Sequence, residues 1–412
     1  MLRRFPVLSA ASAAVSSTWS ALWTFPSILA SAFLMAWAAE AAQFMVAQGL
    51  ALALLAWLQT LPEFAVEAVI AWGAGKDPAQ THLAIANFTG AIRLLIGLGW
   101  PMIYFVSAIA AARSGRRRTW ADIRLDHEHA VEVVGLLPPV IYFFWIWFKS
   151  EIDLVDSVVL ILLYVFYLGV LWRMPPKNEG DVGDVARVSR AVLRLGKPYR
   201  SLAVFSLFAG GGALLYFTAH PFLTSMLALA ATLGVSNFVF IQWVAPFLSE
   251  FPEKVSAFYW ARKVTGAPMA LMNMVSSNIN QWTVLAAMIP IVYSLSRGQP
   301  SALHFDHQQQ LEILITILQS LLAIMILANM RFAYWEAGLI FILWFVQFLK
   351  PELREEVSWI YGTWTLLLVV FGFGHRGGFR VFSTFSRVFS RNVLHFHDPQ
   401  PGTGLNKEAD PK

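Results

Sequence analysis

The sequence contains no cysteine, so neither a disulfide nor a thiolate metal site belongs to its chemistry, and it carries no mark of a redox compartment. It is also poor in charge. Asp, Glu, Lys and Arg make up 13% of it, against about one quarter in soluble domains. That is too little polar surface to cover a globule in water, which excludes an ordinary soluble fold. The first twenty residues hold two arginines and many small side chains but no continuous apolar core. They read as an amino-terminal tail rather than a signal peptide. The apolar stretches carry no Ser/His pair and no histidines at metal-ligand spacing, which argues against an intramembrane enzyme. Gly210-Gly211-Gly212 lacks a following lysine, so it signals close helix packing or a hinge, not phosphate binding.

What remains is apolar and aromatic: 57% hydrophobic residues, 17 Trp and 32 Phe, with mean hydropathy +0.58. Crossing the hydrocarbon of a bilayer takes about 20 apolar residues. Eleven such runs fall near 24–46, 49–73, 83–110, 130–149, 152–172, 201–230, 233–259, 267–295, 310–330, 332–349 and 356–374. The expected fold is therefore all-α and polytopic. Four basic segments punctuate it: Arg113 to Arg124; the long loop 173–200; Arg262 and Lys263; and Arg376 to Arg391. Eleven helices put all four on one side, which the positive-inside rule makes the cytoplasm, with the amino terminus outside and the carboxy terminus inside. A multi-pass protein of the plasma (inner) membrane is expected. The segment from about 395 onward is polar and aperiodic and reads as disordered.

The chain repeats itself. Leu58-Gln59-Thr60-Leu61-Pro62-Glu63-Phe64 and Leu248-Ser249-Glu250-Phe251-Pro252-Glu253-Lys254 each place Pro-Glu inside an apolar run after a polar residue. About twenty residues further on, each is followed by a polar element, Asn87-Phe88-Thr89-Gly90 or Asn273-Met274-Val275-Ser276-Ser277-Asn278. The second Pro-Glu helix comes five runs after the first, and an odd offset reverses the second copy in the membrane. Inverted repeats with broken helices meeting near the midplane are a recurring transporter plan. Proline supplies the break by removing a backbone donor. Freed carbonyls can then face a cation.

Carboxylates inside a membrane persist mainly where a partner or an ion offsets their cost, roughly 2.5–3.5 kcal/mol each on insertion scales. Glu63 and Glu67, four apart, share a helix face, as do Glu250 and Glu253, three apart. Glu67 and Glu250 also fit positions near helix ends, in water. Hard cations favour carboxylate, carbonyl and amide oxygens. Asn273, Ser277 and Gln281 form a polar stripe at four-residue spacing, whereas the corresponding Asn87, Ala91 and Leu95 keep only the first ligand. Arg93 points away from that second stripe. It pairs with a buried glutamate in place of a cation, packs or snorkels against another helix, or faces a watery passage. Glu40 beside Gln43 fits a hydrogen bond to a neighbouring helix as well as a transport role. His304, Asp306 and His307 form a solvated loop or a loose metal site.

These motifs resemble the calcium/cation antiporter superfamily, which includes the sodium/calcium exchangers. Thr60-Leu61-Pro62-Glu63 and Phe251-Pro252-Glu253 are similar to its Pro-Glu signature, and Asn87-Phe88-Thr89-Gly90 and Asn273 to Asn278 to the signature of the next helix. The run Ala38-Ala39-Glu40-Ala41 resembles the family's first helix. The resemblance implies two inverted five-helix repeats, 24–172 and 201–349, joined by the basic loop 173–200. A tail at 1–23, an extra helix at 350–374 and a basic then disordered tail at 375–412 complete the chain. It implies alternating access and secondary antiport of Ca2+ or a related cation against Na+ or H+. Glu63 and Glu253 would be the central metal ligands. Thr60, Ser249, Glu250, Asn87, Asn273, Ser277 and Gln281 would complete the ion site, with Arg93 as a charge-compensating candidate. The implied partners are the lipid bilayer and small cations, with no nucleic acid and no cofactor. Gln59 and Glu250 stand where the family has Thr and Ser, and Ala91 and Leu95 where it has Ser and an amide or acid. The stoichiometry of the sodium exchangers is therefore not implied. The lost oxygens also fit a degenerate relative that serves as a membrane sensor or scaffold. A proton-coupled exchanger fits the added carboxylate, because an apolar interior favours the neutral form of a carboxyl group.

Overall fold

The computed structural model describes residues 6–77, 80–115, 120–176, 186–232, 240–374 and 379–394. Arg116, Arg117, Arg118, Lys177 and Arg376, and the segment expected to be disordered, lie outside them.

The described residues of all eleven apolar runs are largely helical. The first half comprises α1 (Pro6–Ala42), α2 (Gln48–Gln59), α3 (Leu61–Lys76), α4 (Thr81–Leu94), α5 (Trp100–Arg113), α6 (Ala130–Gly135), α7 (Leu137–Lys149) and α8 (Leu154–Trp172). A short α9 (Arg187–Leu193) lies in the linker. The second half comprises α10 (Lys197–Thr232), α11 (Ala245–Ser249), α12 (Phe251–Ala261), α13 (Ala267–Asn280), α14 (Ala286–Arg297), α15 (His307–Leu327) and α16 (Tyr334–Leu349). The chain continues into α17 (Arg354–Gly374) and α18 (Arg380–Phe389). Among the described residues, seven helical stretches are long and apolar enough to cross a membrane, and the bent pair α2–α3 gives an eighth. The first helix begins at Pro6, well before the apolar run that marks it, so the described part of the expected tail is helical. The described part of the basic carboxy-terminal segment is also helical.

The two halves break at matching places. Pro62 enters the second position of α3 and Pro252 that of α12, where a missing N–H is harmless to the new helix but interrupts the old one. The axis turns by 47° between α2 and α3. Further on, α4 and α5 are joined by a π-helical turn, Leu95–Gly99, and α13 and α14 by another, Gln281–Leu285. Such turns hold one extra residue and are frequent at functional sites.

The repeats interlock. In the interior, α2 packs on α13 and α3 on α14, so the first half's broken helix lies against the second half's polar-striped helix. Outside this core, α1 packs along α10. Their approach is close at Gly211, where a Cβ would sit 2.7 Å from Met35 Cγ and 3.1 Å from the Ser31 carbonyl. Gly211 thus serves packing.

Two short antiparallel pairs close the ends. β1 (Ile123–Arg124) pairs with β4 (Arg331–Phe332), and β2 (Glu151–Ile152) with β3 (Leu303–His304). Each joins a loop of one half to a loop of the other. β1 and β3 precede the fourth spanning segment of their halves, and β2 and β4 follow it, so the two pairs are equivalents under the repeat. The β1–β4 end carries the basic segments and is called the basic face below.

Candidate ion site

The breaks at Thr60 and Glu250 meet in the protein interior. Gln59 Nε2 donates to Ser256 Oγ (2.6 Å) and to the Pro252 carbonyl (3.2 Å). Asn280 Nδ2 donates to Thr60 Oγ1 (2.6 Å), and Asn273 Nδ2 reaches Gln59 Oε1 at 3.5 Å. Each break is held by polar groups from the other half, so the site is a property of the assembled pair.

Glu63, Glu67, Glu250 and Glu253 are all fully buried. One neutral side chain links two of them. Gln281 Nε2 donates to Glu63 Oε1 (3.0 Å) and Oε2 (3.2 Å) and to Glu250 Oε1 (3.0 Å). The π turn that starts at Gln281 places its amide between the two carboxylates. Glu250 also forms a buried ion pair with Lys254, one helical turn on.

Much of the rest lacks donors. Glu67 accepts from Asn87 Nδ2 (2.6 Å) through one oxygen, while its other oxygen and Asn87 Oδ1 have no hydrogen-bond partner among the described residues. Neither Glu253 oxygen, nor Ser277 Oγ, nor Asn273 Oδ1 has a hydrogen-bond partner among the described residues. Buried acceptors without donors are costly, and every carboxylate or amide atom in this set is an oxygen. Such a cluster matches what a hard cation or a proton would satisfy.

The structure thus brings together Glu63, Glu253, Glu250, Asn87, Asn273, Ser277 and Gln281. The alternative of water-facing helix ends for Glu67 and Glu250 does not hold, since both are buried. Thr60 Oγ1 lies at the break but is engaged by Asn280. Ser249 Oγ turns back to the Pro246 carbonyl of its own helix (3.2 Å).

Arg93 takes the first of its three readings, but with a glutamate outside this cluster. Its guanidinium pairs with Glu312 and donates to Gln347 Oε1 (3.0 Å), over the Trp243 ring. Arg354, at the start of α17, pairs with the same Glu312 and donates to Gln242 Oε1 (2.8 Å). Sequence reasoning missed Glu312, which sits at the edge of its apolar run where a carboxylate fits water. It also missed the role of Lys254, although the (i, i+4) spacing from Glu250 was a readable signal. Glu40 is tied to neighbouring elements through Lys263 (2.6 Å), Trp260 Nε1 (3.0 Å) and Ser189 Oγ (2.9 Å). His304 pairs with Glu151 (2.9 Å) and Asp306 caps α15. Among the described residues, no group of three or more His, Asp or Glu side chains is arranged to hold a metal ion, in this loop or elsewhere.

A model of the sodium/calcium exchanger protein family matches residues 16–173 and 203–349. The crystal structure of the H+/Ca2+ exchanger CAX superposes with TM-score 0.76 at 31% identity, over 94% of this chain and 98% of that one. Structures of the sodium-calcium exchanger NCX_Mj soaked with Na+ and Sr2+ superpose with TM-score 0.59 at 19% identity, over 82% of this chain and 98% of theirs. No curated protein matches the chain.

Proposed function

Because the chain belongs to the sodium/calcium exchanger protein family, we propose that it is a secondary antiporter that exchanges Ca2+, or a related divalent cation, for protons by alternating access. The observation that carries this reading is the buried cluster of four glutamates with one lysine paired to Glu250; among the described residues both oxygens of Glu253 lack a donor, and Glu63 and Glu250 share the Gln281 amide. An interior of low dielectric does not hold that much negative charge uncompensated. A divalent cation between Glu63 and Glu253, completed by oxygens of Ser277, Asn273 and the backbone at the breaks, neutralises it. So do protons on the same carboxylates. The two compete for the same lone pairs, and that competition is the coupling.

The preference for H+ over Na+ rests on chemistry. Sodium needs a shell of oxygens, and the first half has Ala91 and Leu95 where the second has Ser277 and Gln281. A proton needs one lone pair. The likeness to a proton/calcium exchanger points the same way. The basic face is assigned to the cytoplasm by the positive-inside rule. The bilayer that fits this is the plasma (inner) membrane, with the amino terminus outside.

Radiolabelled Ca2+ uptake into proteoliposomes tests the reading. A pH gradient is expected to drive uptake and a Na+ gradient is not, and Glu63→Gln and Glu253→Gln are each expected to abolish it. Uptake unchanged in both variants would remove the ligand assignment. Uptake driven only by Na+ would replace the counter-ion.

A further inference from the structure

The carboxy-terminal helix takes no part in the ion site, and its arrangement has a chemistry of its own. Val381 N donates to the Ala328 carbonyl just past α15 (2.9 Å). Val381 and Thr384 are buried, and the helix packs on α6. Asn392 Nδ2 reaches Met174 Sδ just past α8 (3.5 Å). A helix that meets the ends of three spanning segments lies across them. α18 and the turn after it therefore run along the membrane boundary on the basic face.

The outward side of this element is basic. Arg380, Arg387 and Arg391 are exposed, as are Ser383 and Ser386. Spacings of seven and four place the three guanidiniums on one stripe. No Asp or Glu occurs between Glu356 and Asp398. Phe382 and Phe389 flank the stripe half-buried, and Leu394 is exposed. Cationic stripes with an apolar margin at a membrane boundary match anionic headgroups.

The inner side faces the transport machinery. Phe385 closes a crevice of about 70 Å3 lined by Val131, Gly135, Tyr167, Ile279 and Thr283. Thr283 belongs to the π turn that begins with Gln281.

We propose that the Arg380–Arg387–Arg391 stripe binds anionic phospholipid headgroups of the adjoining leaflet, and that this seats α18, through Phe385, against the π turn of the ion site. The occupant is lipid because the helix already lies at the membrane boundary, and its charge complements phosphate with no competing acid on the element. Each arginine near an anionic surface contributes roughly fivefold to association.

The test uses full-length protein in phosphatidylcholine nanodiscs with or without phosphatidylglycerol. Phosphatidylglycerol is expected to raise the melting temperature of the parent chain, less so at high salt. The triple variant Arg380→Gln/Arg387→Gln/Arg391→Gln is expected to bind roughly a hundredfold more weakly and to lose the rise, while the corresponding triple lysine variant keeps it. Should the glutamine variant fail to fold, a single Ser386→Cys in the parent chain, labelled with a fluorophore, replaces it. Quenching by spin-labelled headgroups is then expected to increase with phosphatidylglycerol. The proposal is overturned if the parent shows no rise, if the glutamine variant keeps it, if quenching ignores lipid charge, or if soluble glycerol phosphate reproduces the effect.

Discussion

Gln281 does at residue scale what a sodium ion or a proton does elsewhere: it offers positive hydrogen to two carboxylates at once. An amide neutralises neither, so Glu63 and Glu250 still call for a proton or a cation. Replacing it by leucine removes the only donor they share among the described residues. Gln281→Leu is expected to lower the rate of Ca2+ uptake at least tenfold and to shift its pH dependence, read by initial rates across a pH series. A rate and profile equal to those of the parent would show that the amide is a bystander.

Lys254 makes a second residue-scale prediction. Its ion pair with Glu250 is buried, and removing one partner of such a pair costs about 3 kcal/mol or more. Lys254→Met is expected to lower the melting temperature, and adding Glu250→Gln to restore most of it. Equal melting of the single and double variants would mean that the two groups are not coupled. Much of this centre was legible beforehand: Pro-Glu twice at matching positions marked Glu63 and Glu253, and four-residue spacing marked Asn273, Ser277 and Gln281. What stayed hidden depends on partners far along the chain. Gln281 bridges residues 63 and 250, and Arg354 arrives from α17 to pair with Glu312. No local pattern encodes such meetings.

At the scale of elements, the apolar runs gave the helices because length and hydropathy are properties of a segment by itself. The π turns were not legible, since one extra residue in a turn leaves no mark in composition. Nor were the strand pairs, whose two residues each are too short to show alternation. The start of α1 and the whole of α18 lie beyond the apolar runs, because polar and small residues also take helix. The contact of α1 with α10 offers a test. Gly211→Leu would drive a side chain into Met35 and the Ser31 carbonyl, and overpacking of this kind costs about 1–3 kcal/mol. The variant is expected to melt lower than the parent and to transport more slowly. Gly210→Leu, which meets nothing within 4 Å, is expected to behave as the parent in both measurements.

For the whole molecule, the inverted repeat predicts sidedness. The chain has no native cysteine, so single introduced thiols report their own location. Ser114→Cys, past the end of α5 on the basic face, and Gln299→Cys, past the end of α14, are both exposed and belong to opposite ends of corresponding helices. A membrane-impermeant maleimide applied to sealed cells is expected to label the second and spare the first until the membrane is opened. Labelling of both from one side would contradict the reversed orientation of the halves.

The paired strands at the two ends carry a further consequence. Each ties a loop of one half to a loop of the other, and the interior breaks are likewise held across the halves. Very little of the cohesion therefore depends on the peptide that links them. Severed between α8 and α10 and produced as two polypeptides in one cell, the fragments are expected to find each other and copurify. A single gene and a pair of shorter ones would then encode the same machine.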